Sequence, residues 1–472
     1  VGHHRGGYAP FAFDIDHVVG SGTNTIVVRV EDSLSWTQPR GKQAGTTRWP
    51  IDYDSVTGIW QTVWLESLPP VSIESTLSVF GVDSGELVLT ALFSKQVEGE
   101  LTVELLLAGV LVDRKQVNTG LRSEARVSFQ LDEPLLWSPD SPILYDVKLT
   151  LLDIRTGSVD EATSYIGLRE VEVRDGFLLL NGEKLFLRGI LDQGYFPGGW
   201  YTALSDADLR RDVELTLQMG FNCARKHQKA EDPRYLYWAD KLGLLVWAEM
   251  PSGKIFSTEL VQTLVSEWTD LVKRDRAHPC VIAWVPFNES WGVWHQSSRP
   301  QQRAFVDGVV GITRAMDASR PVVGNDGWEF SSGDLWTLHL YFEGKSLNQR
   351  LNELIKSPQS SVAEGNGMGS RVGALPGANV EGLPILLTEC GGVGYGRFSE
   401  SDFSYGDLPE TEVLLQEAIQ EIAKMIRAAP KLQGFVWTQL TDVQQEVNGL
   451  LYFDRTPKLP IETLHEIISS IG

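Results

Sequence analysis

Eight short apolar runs, separated by helical patterns, occupy the chain from about residue 170 onward and constrain its fold more than any other feature. The intervening stretches are amphipathic, as at 205–220, where Ser205 is a candidate N-cap and Gly220 a stop signal. Eight strand–helix units over about 300 residues predict a (β/α)₈ TIM barrel. The runs cover residues 185–191, 220–225, 244–250, 281–288, 321–324, 336–341, 385–389 and 434–438.

The first part of the chain reads as β structure. Strands are predicted at 23–32 and 58–68, which are too few to close a sandwich, so we expect an amino-terminal part of this domain to be missing. Residues 70 to about 167 carry apolar strands at the spacing of a β-sandwich. Within the barrel, the Gly-rich stretch 357–384 is predicted to be a functional or disordered loop.

Charge and composition exclude several classes of partner. The formal net charge of −21 argues against nucleic acid or an anionic membrane, and no run reaches the roughly 18 apolar residues of a membrane helix. Cys223, Cys280 and Cys390 fit neither a disulfide framework nor a zinc pattern. We expect buried thiols and no cofactor or metal. No signal peptide follows Val1, which favours the cytoplasm, although a truncated amino terminus leaves the compartment open.

Two glutamates stand at predicted strand ends. The fourth strand ends at Asn288-Glu289 in "VPFNESWG", and the seventh ends at Glu389 in "PILLTECGG". Strand ends converge at the active-site face of a barrel, so the pair suits glycoside hydrolysis, in which one acid protonates the leaving oxygen. Carboxyl groups about 5–5.5 Å apart would give retention of configuration. Either glutamate alone would more commonly be a solvated loop acid.

Several motifs in order resemble glycoside hydrolase family 2, which includes β-galactosidases, β-glucuronidases and β-mannosidases. The resemblance covers essentially the whole chain. It implies a partial sugar-binding jelly-roll domain at 1–68, an immunoglobulin-like β-sandwich at 69–168 and a catalytic TIM barrel at 169–472. The motifs are "HHRGGYAPFAFDI" (3–15), "LFLRGI" (185–190), "FNESWG" (287–292), "SRPVVGNDGWE" (319–329), "LLTECGG" (386–392) and "FVWTQLTDVQQEVNGLLYFDRTPK" (435–458).

The resemblance also implies roles for single residues. Glu289 would be the general acid/base, Glu389 the nucleophile, and Asn288 the donor to the sugar 2-hydroxyl. Arg225 would hold the nucleophile ionised, with a structural ion pair as its alternative. Tyr341 would donate a hydrogen bond to Glu389, unless it is a half-buried barrel tyrosine.

Three further candidates follow barrel strands. Trp437 is expected to form the platform under the sugar. Trp328 would line the pocket or pack beneath the fifth strand. His339 follows the sixth strand, and a satisfied core histidine is its more common reading.

The chain also departs from the family pattern. After the second strand it has "ARKHQKAEDP" (224–233) in place of Arg-x-Ser-His-Tyr-Pro, which makes His227, Lys226 and Lys229 pocket candidates. After the first strand, in "GILDQGYFPGGWY" (189–201), Asp192, Gln193 and Tyr195 are candidate sugar contacts. The Asn-x-Lys pair by which β-glucuronidases hold a uronic carboxylate is missing after the eighth strand, which argues against a glucuronidase, although Lys226 or Lys229 could still receive an acidic sugar.

The sequence thus predicts a retaining exo-β-glycosidase that acts on an oligosaccharide or glycoside, with β-galactosidase activity favoured. The alternatives are β-glucuronidase, β-mannosidase or β-galactofuranosidase specificity, or a non-catalytic carbohydrate-binding homologue. Homo-oligomerisation is left open.

Overall fold

Antiparallel strands form a two-sheet sandwich in the first half of the computed structural model, which describes residues 1–341, 347–363, 370–396, 402–406 and 408–472. One sheet has the order β1-β2-β5 and the other β4-β3-β8-β9. Side chains alternate between buried and exposed along β8, as expected for a strand with one face in the core. The predicted sandwich is confirmed. The strands are β1 (Ile73–Gly81), β2 (Glu86–Val97), β3 (Gly99–Leu107), β4 (Val110–Asn118), β5 (Arg122–Gln130), β6 (Trp137–Ser138), β7 (Ser141–Pro142), β8 (Tyr145–Asp153) and β9 (Val159–Ile166).

A curled parallel sheet with helices on its outside forms the second half. A small antiparallel sheet, β10 (Val171–Arg174), β11 (Phe177–Leu180) and β12 (Glu183–Lys184), leads into it. The remaining strands are β13 (Leu187–Asp192), β14 (Cys223–Lys226), β15 (Leu245–Glu249), β16 (Val281–Val285), β17 (Trp336–His339), β18 (Ser361–Ala363), β19 (Arg371–Val372), β20 (Ile385–Gly391) and β21 (Leu432–Thr438). The helices are α1 (Asp206–Gln218), α2 (Pro233–Leu242), α3 (Thr258–Asp275), α4 (Pro300–Met316), α5 (Leu347–Lys356), α6 (Glu412–Arg427) and α7 (Ile461–Ser469).

The sheet order β16-β15-β14-β13-β21-β20-β17 is that of a TIM barrel in which seven of the eight predicted strands form continuous ladders. The predicted strand at 321–324 does not. It borders β16 only through isolated parallel bridges, Trp284 to Val322 and Asn288 to Asp326. Val323 also pairs with Gly333 in the antiparallel sense, so the backbone turns away from a regular ladder. The barrel prediction holds, with its fifth position irregular.

Local signals set the helix boundaries as the sequence predicts. Ser205 caps α1 in a reciprocal capping box with Asp208. Asp232 caps α2, which begins with a proline and ends at Gly243 in the left-handed region, φ 83°. A Cβ at Gly243 would lie 2.3 Å from the carbonyl oxygen of Pro139, so this glycine also permits close contact between barrel and sandwich.

The two strands predicted at 23–32 and 58–68 are wrong. Residues 1–70 are all described and contain no strand, so the partial jelly-roll is present only as an extended segment. The apolar side chains of these stretches face solvent, with Val27 87% and Leu65 74% exposed. A strand forms only when a neighbour accepts its hydrogen bonds, and neither stretch has one, whereas the residues between them contact the barrel. Arg40 and Gly41 both donate their N–H to the carbonyl of Ser252 over 3.0 Å.

Three smaller expectations can be compared with the structure. Cys223, Cys280 and Cys390 are buried free thiols, as predicted. The Gly-rich stretch 357–384 carries the short β18–β19 pair, and its residues 364–369 lie outside the described part of the chain. Among the helices that the structure describes, none has the length and apolarity that a bilayer crossing requires.

Candidate active site

Arg225 lies at the centre of a cluster of side chains from the carboxyl ends of the barrel strands. Its guanidinium is fully buried. Nε donates to Glu249 over 2.7 Å, and Nη2 donates to Oδ1 of Asn288 over 2.6 Å. Nη1 lies 2.6 Å from Asp326 and 3.2 Å from Glu389. Burial disfavours the charge, but the carboxylates outweigh it and raise the pKa of Arg225. One cation therefore links residues from several strands.

His339 at the end of β17 lies between the two predicted catalytic glutamates. Its Nδ1 is 2.7 Å from Oε1 of Glu289 and 3.5 Å from Oε1 of Glu389. One oxygen of each glutamate lies within 4.8 Å of the other and of the ring nitrogen. Burial alone would lower the pKa of His339, but Glu389 and Asp326 raise it to about 10. The surrounding carboxylates therefore favour the protonated ring, which donates from both nitrogens.

Hydrogen-bond donors from neighbouring residues surround the carboxylate of Glu389. The hydroxyl of Tyr341 donates to its Oε2 over 2.8 Å, and Arg225 contacts Oε1. Burial raises the pKa of Glu389 and the charge of Glu289 adds to the rise, whereas His339, Arg225 and Tyr341 oppose it. The net effect is a raised pKa for Glu389, which the three donors limit by stabilising its ionised form.

Asp326 and Glu249 belong to the same cluster and were not predicted. Asp326 accepts hydrogen bonds from Thr388 and His339, at 2.8 and 3.1 Å. Burial opposes its charge, but Arg225 and His339 lower its pKa below the usual value. Glu249 ends β15, and Asp326 follows the fifth strand position in "GNDGWE". The strand-end rule that selected Glu289 and Glu389 would have found both.

The lysines after β14 lie away from this cluster. Lys226 Nζ is 2.6 Å from Asp192 and 2.8 Å from Glu231, and it packs over the ring of Tyr235 in α2. Lys229 pairs with Glu231 over 3.0 Å. All four charged side chains are buried. The structure therefore places Asp192 and both lysines in one ion network on the helix side of β14, with their charges already balanced.

The other predicted contacts fall into different surroundings. His227 is buried with Nδ1 3.1 Å from Glu249, and burial together with Arg225 lowers its pKa well below the usual range. Gln193 donates to Gln439 over 2.7 Å. Trp328 is half-buried. Trp437 has no exposed surface, because Gly391 covers its ring. These residues remain predictions as sugar contacts.

A second group of candidate metal ligands lies between α2 and β16. It consists of Asp240, His278 and Cys280. Burial and the neighbouring Asp240 raise the pKa of the Cys280 thiol well above its usual value. In the structure these groups are joined by hydrogen bonds, since Asp240 lies 2.5 Å from Nδ1 of His278 and accepts the backbone N–H of Cys280 over 2.9 Å.

A curled parallel β/α sheet with a carboxylate pair at its strand ends places the molecule among the TIM-barrel proteins whose candidate active site is a pair of acids. Two family models match the chain. "Glycosyl hydrolases family 2, TIM barrel domain" covers residues 171–361, and "Glycosyl hydrolases family 2" covers residues 87–169. The chain belongs to this family.

Individual relatives agree with that membership. A β-galactosidase of Thermoanaerobacter pseudethanolicus is 30% identical over 351 residues, which are 69% of this chain and 43% of the relative. The chain thus spans less than half the length of that curated protein. A β-galacturonidase of Eisenbergiella tayi bound to galacturonate has a TM-score of 0.71 at 20% identity, over 89% of this chain and 76% of that one. A β-glucuronidase of Parabacteroides merdae has a TM-score of 0.71 at 21% identity, over 92% and 56%.

Proposed function

We propose that this chain is the catalytic part of a retaining exo-β-glycosidase, with Glu389 as nucleophile and Glu289 as general acid/base. The observation that carries the proposal is the approach of the two carboxylates, whose nearest oxygens lie within 4.8 Å. Retaining enzymes hold their carboxyl groups about 5–5.5 Å apart, whereas inverting enzymes leave about 6.5–9.5 Å for a water molecule. The short separation therefore supports direct attack.

In the first step, an oxygen of Glu389 attacks the anomeric carbon while Glu289 gives its proton to the glycosidic oxygen. The glycosidic C–O bond breaks, the alcohol leaves, and a glycosyl ester remains on Glu389. In the second step, Glu289 takes a proton from water, and the resulting attack on the anomeric carbon releases Glu389. Two displacements at the same carbon restore the original β configuration.

Neighbouring residues support these roles. Arg225, His339 and Tyr341 favour the ionised Glu389 that the attack requires. Asn288 accepts from Arg225 through Oδ1, which leaves its amide N–H groups free to donate to the sugar 2-hydroxyl.

The proposed substrate is a β-galactoside. The relative from Thermoanaerobacter pseudethanolicus, which carries the higher identity, is a β-galactosidase. The uronidase structures resemble this chain at 20–21% identity and support its fold alone. Lys226 and Lys229, the lysines considered for a uronic carboxylate, are engaged with Glu231 and Asp192. We therefore expect a β-galactoside to be the better substrate, and a β-glucuronide serves as the comparison.

The test is turnover of p-nitrophenyl β-galactoside, β-glucuronide and β-mannoside by the full chain and two variants. We expect Glu389→Gln to abolish turnover. Glu289→Gln should lose roughly 10²–10⁴-fold with a poor leaving group and regain activity with azide, giving a β-glycosyl azide. Glu417→Gln, an exposed substitution in α6, is the matched control. Wild-type turnover by Glu389→Gln, or a first product of α configuration, would contradict the proposal.

A further inference from the structure

A segment from the amino-terminal region crosses the mouth of the barrel and carries a lysine into it. Gly41 is anchored to the loop after β15 through the carbonyl of Ser252. The backbone N–H of Tyr53 donates to the carbonyl of Lys42 over 2.8 Å. A Cβ at Gly41, whose φ is 59°, would lie 2.2 Å from the carbonyl oxygen of Gln228. The approach to the barrel is therefore close, and it fixes where Lys42 lies.

The ammonium group of Lys42 is buried with its donors unused. Its side chain is 5% exposed, and its nearest carboxylate oxygen is Oε2 of Glu446 at 3.9 Å, beyond hydrogen-bond distance. Nζ lies over the rings of Trp291 and Tyr53, at 5.8 and 5.9 Å from their centroids. Its three N–H groups thus donate to none of the residues that the structure describes. Lys42 and Glu446 therefore form an ion pair without a hydrogen bond, and a ligand oxygen could accept the donors of Lys42.

Glu446 has spare capacity as an acceptor. It is 1% exposed, and its Oε2 accepts from the hydroxyl of Tyr53 over 2.5 Å. Its Oε1 receives only a long contact of 3.4 Å from Asn448. A carboxylate offers about four lone-pair positions, so Glu446 can accept a further hydrogen bond. A buried donor and a buried acceptor thus stand beside one another.

Both members of this pair adjoin the proposed catalytic carboxylates. On one side, the ring beneath Lys42 belongs to Trp291, two residues after Glu289. The backbone N–H of Trp291 donates to the carbonyl of Asn288 over 2.9 Å, so this ring belongs to the turn that carries Glu289. The donor therefore lies beside the turn that carries the proposed acid/base.

On the other side, aromatic rings join Glu446 to the nucleophile. Glu446 forms a parallel bridge with Phe403, whose ring packs edge-on against Tyr405 at 4.9 Å. Tyr405 stacks on Tyr341 at 4.2 Å, and Tyr341 donates to Glu389. Three rings, those of Phe403, Tyr405 and Tyr341, therefore connect the acceptor to the proposed nucleophile.

We propose that Lys42 and Glu446 together bind a hydroxyl group of the terminal sugar and select a neutral sugar over a uronic acid. This proposal rests on the proposed glycosidase function. A sugar hydroxyl can accept from Lys42 and donate to Glu446 at once. A uronic carboxylate would gain Lys42 but would face the negative charge of Glu446 with no proton to share. Lys42 and Glu446 together therefore favour a hydroxyl group over a carboxylate, because only the hydroxyl has a proton to donate to Glu446.

The test measures kcat and KM separately for Lys42→Met and Glu446→Gln on p-nitrophenyl β-galactoside. Losing a charge-assisted hydrogen bond should lower kcat/KM by roughly 10- to 100-fold in each variant. The decisive substrates are β-galactosides that lack the 3-, 4- or 6-hydroxyl. We expect one of them to be cleaved equally by wild type and Lys42→Met, because the group that Lys42 contacts is already absent. Lys148→Met, an exposed substitution on β8, is the matched control.

The outcomes separate this proposal from the one beneath it. If the wild-type chain cleaves no glycoside, or if Glu389→Gln remains active, the proposed function fails. If the wild type is active but both variants keep its kcat/KM on every sugar, only the hydroxyl pair is refuted. It is also refuted if Lys42→Met loses activity on β-glucuronide alone while Glu446→Gln gains it. Glu446→Gln is nearly isosteric and keeps an acceptor for Tyr53, so it tests the pair even if Lys42→Met folds poorly.

Discussion

Arg225 is the residue on which the candidate site depends most, because its guanidinium contacts several acidic side chains. It contacts Glu249, Asp326 and Glu389 from three strand ends, together with the amide of Asn288. Arginine suits this position because its fork of donors reaches several acceptors in one plane, whereas a lysine has all its donors on one atom. The planar shape of the guanidinium, as well as its positive charge, therefore determines where the acidic side chains lie.

We predict that Arg225→Lys removes the ion pair with the cation from at least two of these buried carboxylates. Breaking a buried ion pair in this way costs about 3–5 kcal/mol. Urea unfolding of the variant, followed by tryptophan fluorescence, measures that loss. The control is Arg210→Lys, in the surface pair with Glu214 on α1, where we expect a change of at most about 1 kcal/mol. Equal stability of the two variants would contradict the role given to Arg225.

We also predict that Tyr341→Phe shifts the acid limb of the pH–rate profile to higher pH. The Tyr341 hydroxyl lowers the pKa of Glu389 by donating to its charged form, so its removal lets that pKa rise. Turnover at the optimum should fall by roughly 10- to 100-fold. A profile that keeps its limbs but loses height would indicate a structural role instead. Tyr237→Phe, on the outer face of α2, should change neither quantity.

Sequence reasoning identified the two glutamates proposed to react more readily than the residues that support them. The pair Glu289 and Glu389, and the partners Arg225 and Tyr341, follow from strand ends and from the family resemblance. Asp192 and Lys226 look like equal candidates in sequence, yet successive residues of a strand face opposite sides of the sheet. Only the register of β14 shows that Arg225 points inward while Lys226 meets α2.

At the scale of elements, the same apolar alternation gave opposite outcomes. Residues 281–285 became a fully buried strand because neighbours on both sides accept its hydrogen bonds. Residues 23–32 have equally strand-forming side chains but remain extended and exposed, since no described segment pairs with them. Periodicity is a local property, whereas a ladder depends on a partner distant in sequence. Helix ends were predicted better because capping is local.

One element contact joins the sandwich to the barrel and gives a pH-dependent prediction. Asp240 at the end of α2 accepts from Tyr165 of β9 over 2.8 Å and from the backbone N–H of Cys280 over 2.9 Å. His278 lies 2.5 Å away. Burial alone would lower the pKa of His278, but Asp240 outweighs it and raises the pKa. The folded state therefore favours the protonated imidazole ring of His278.

We predict that Asp240→Asn lowers the free energy of unfolding by about 1.5–3 kcal/mol. The His278 contribution is complete below the unfolded pKa of about 6.5 and is lost as pH rises through the raised folded value. The difference from wild type should therefore shrink in alkaline buffer, as urea unfolding at two pH values would show. Tyr165→Phe, which removes one neutral donor, should cost about 1 kcal/mol. A difference for Asp240→Asn that does not vary with pH would exclude the imidazolium.

At the scale of the whole molecule, the amino-terminal segment is attached to the barrel through a titratable group. Glu267 on α3 accepts the backbone N–H groups of Gly7 and Tyr8, at 2.9 and 2.8 Å. Burial raises the pKa of Glu267 to about 7, although those N–H groups oppose the rise. A carboxyl whose folded pKa is raised binds its proton more tightly in the folded state. Stability is thus lost as pH rises from about 4.3 through the folded value.

We predict that Glu267→Gln flattens this dependence. The amide keeps an acceptor for Gly7 and Tyr8 but carries no charge, so the variant should be more stable than wild type above neutral pH. Thermal unfolding across the acid-to-neutral range measures the effect, and proteolysis of the first residues reports the attachment itself. Glu417→Gln, fully outside the contact, should track the wild type. Parallel pH curves for wild type and Glu267→Gln would show that the carboxyl does not titrate there.

Residues 36–54, the segment that crosses the barrel mouth, affect how proteins of this family can diverge. The residues proposed to cleave the substrate lie at strand ends, whereas the contacts proposed to recognise the sugar are shared with a stretch of chain that contributes no strand. Substitutions in that stretch can change the accepted sugar while Glu289, Glu389 and Arg225 remain untouched. Inheritance of the catalytic apparatus is thereby separated from inheritance of substrate choice. Barrel motifs in this family can then identify a shared ancestor without naming a common substrate.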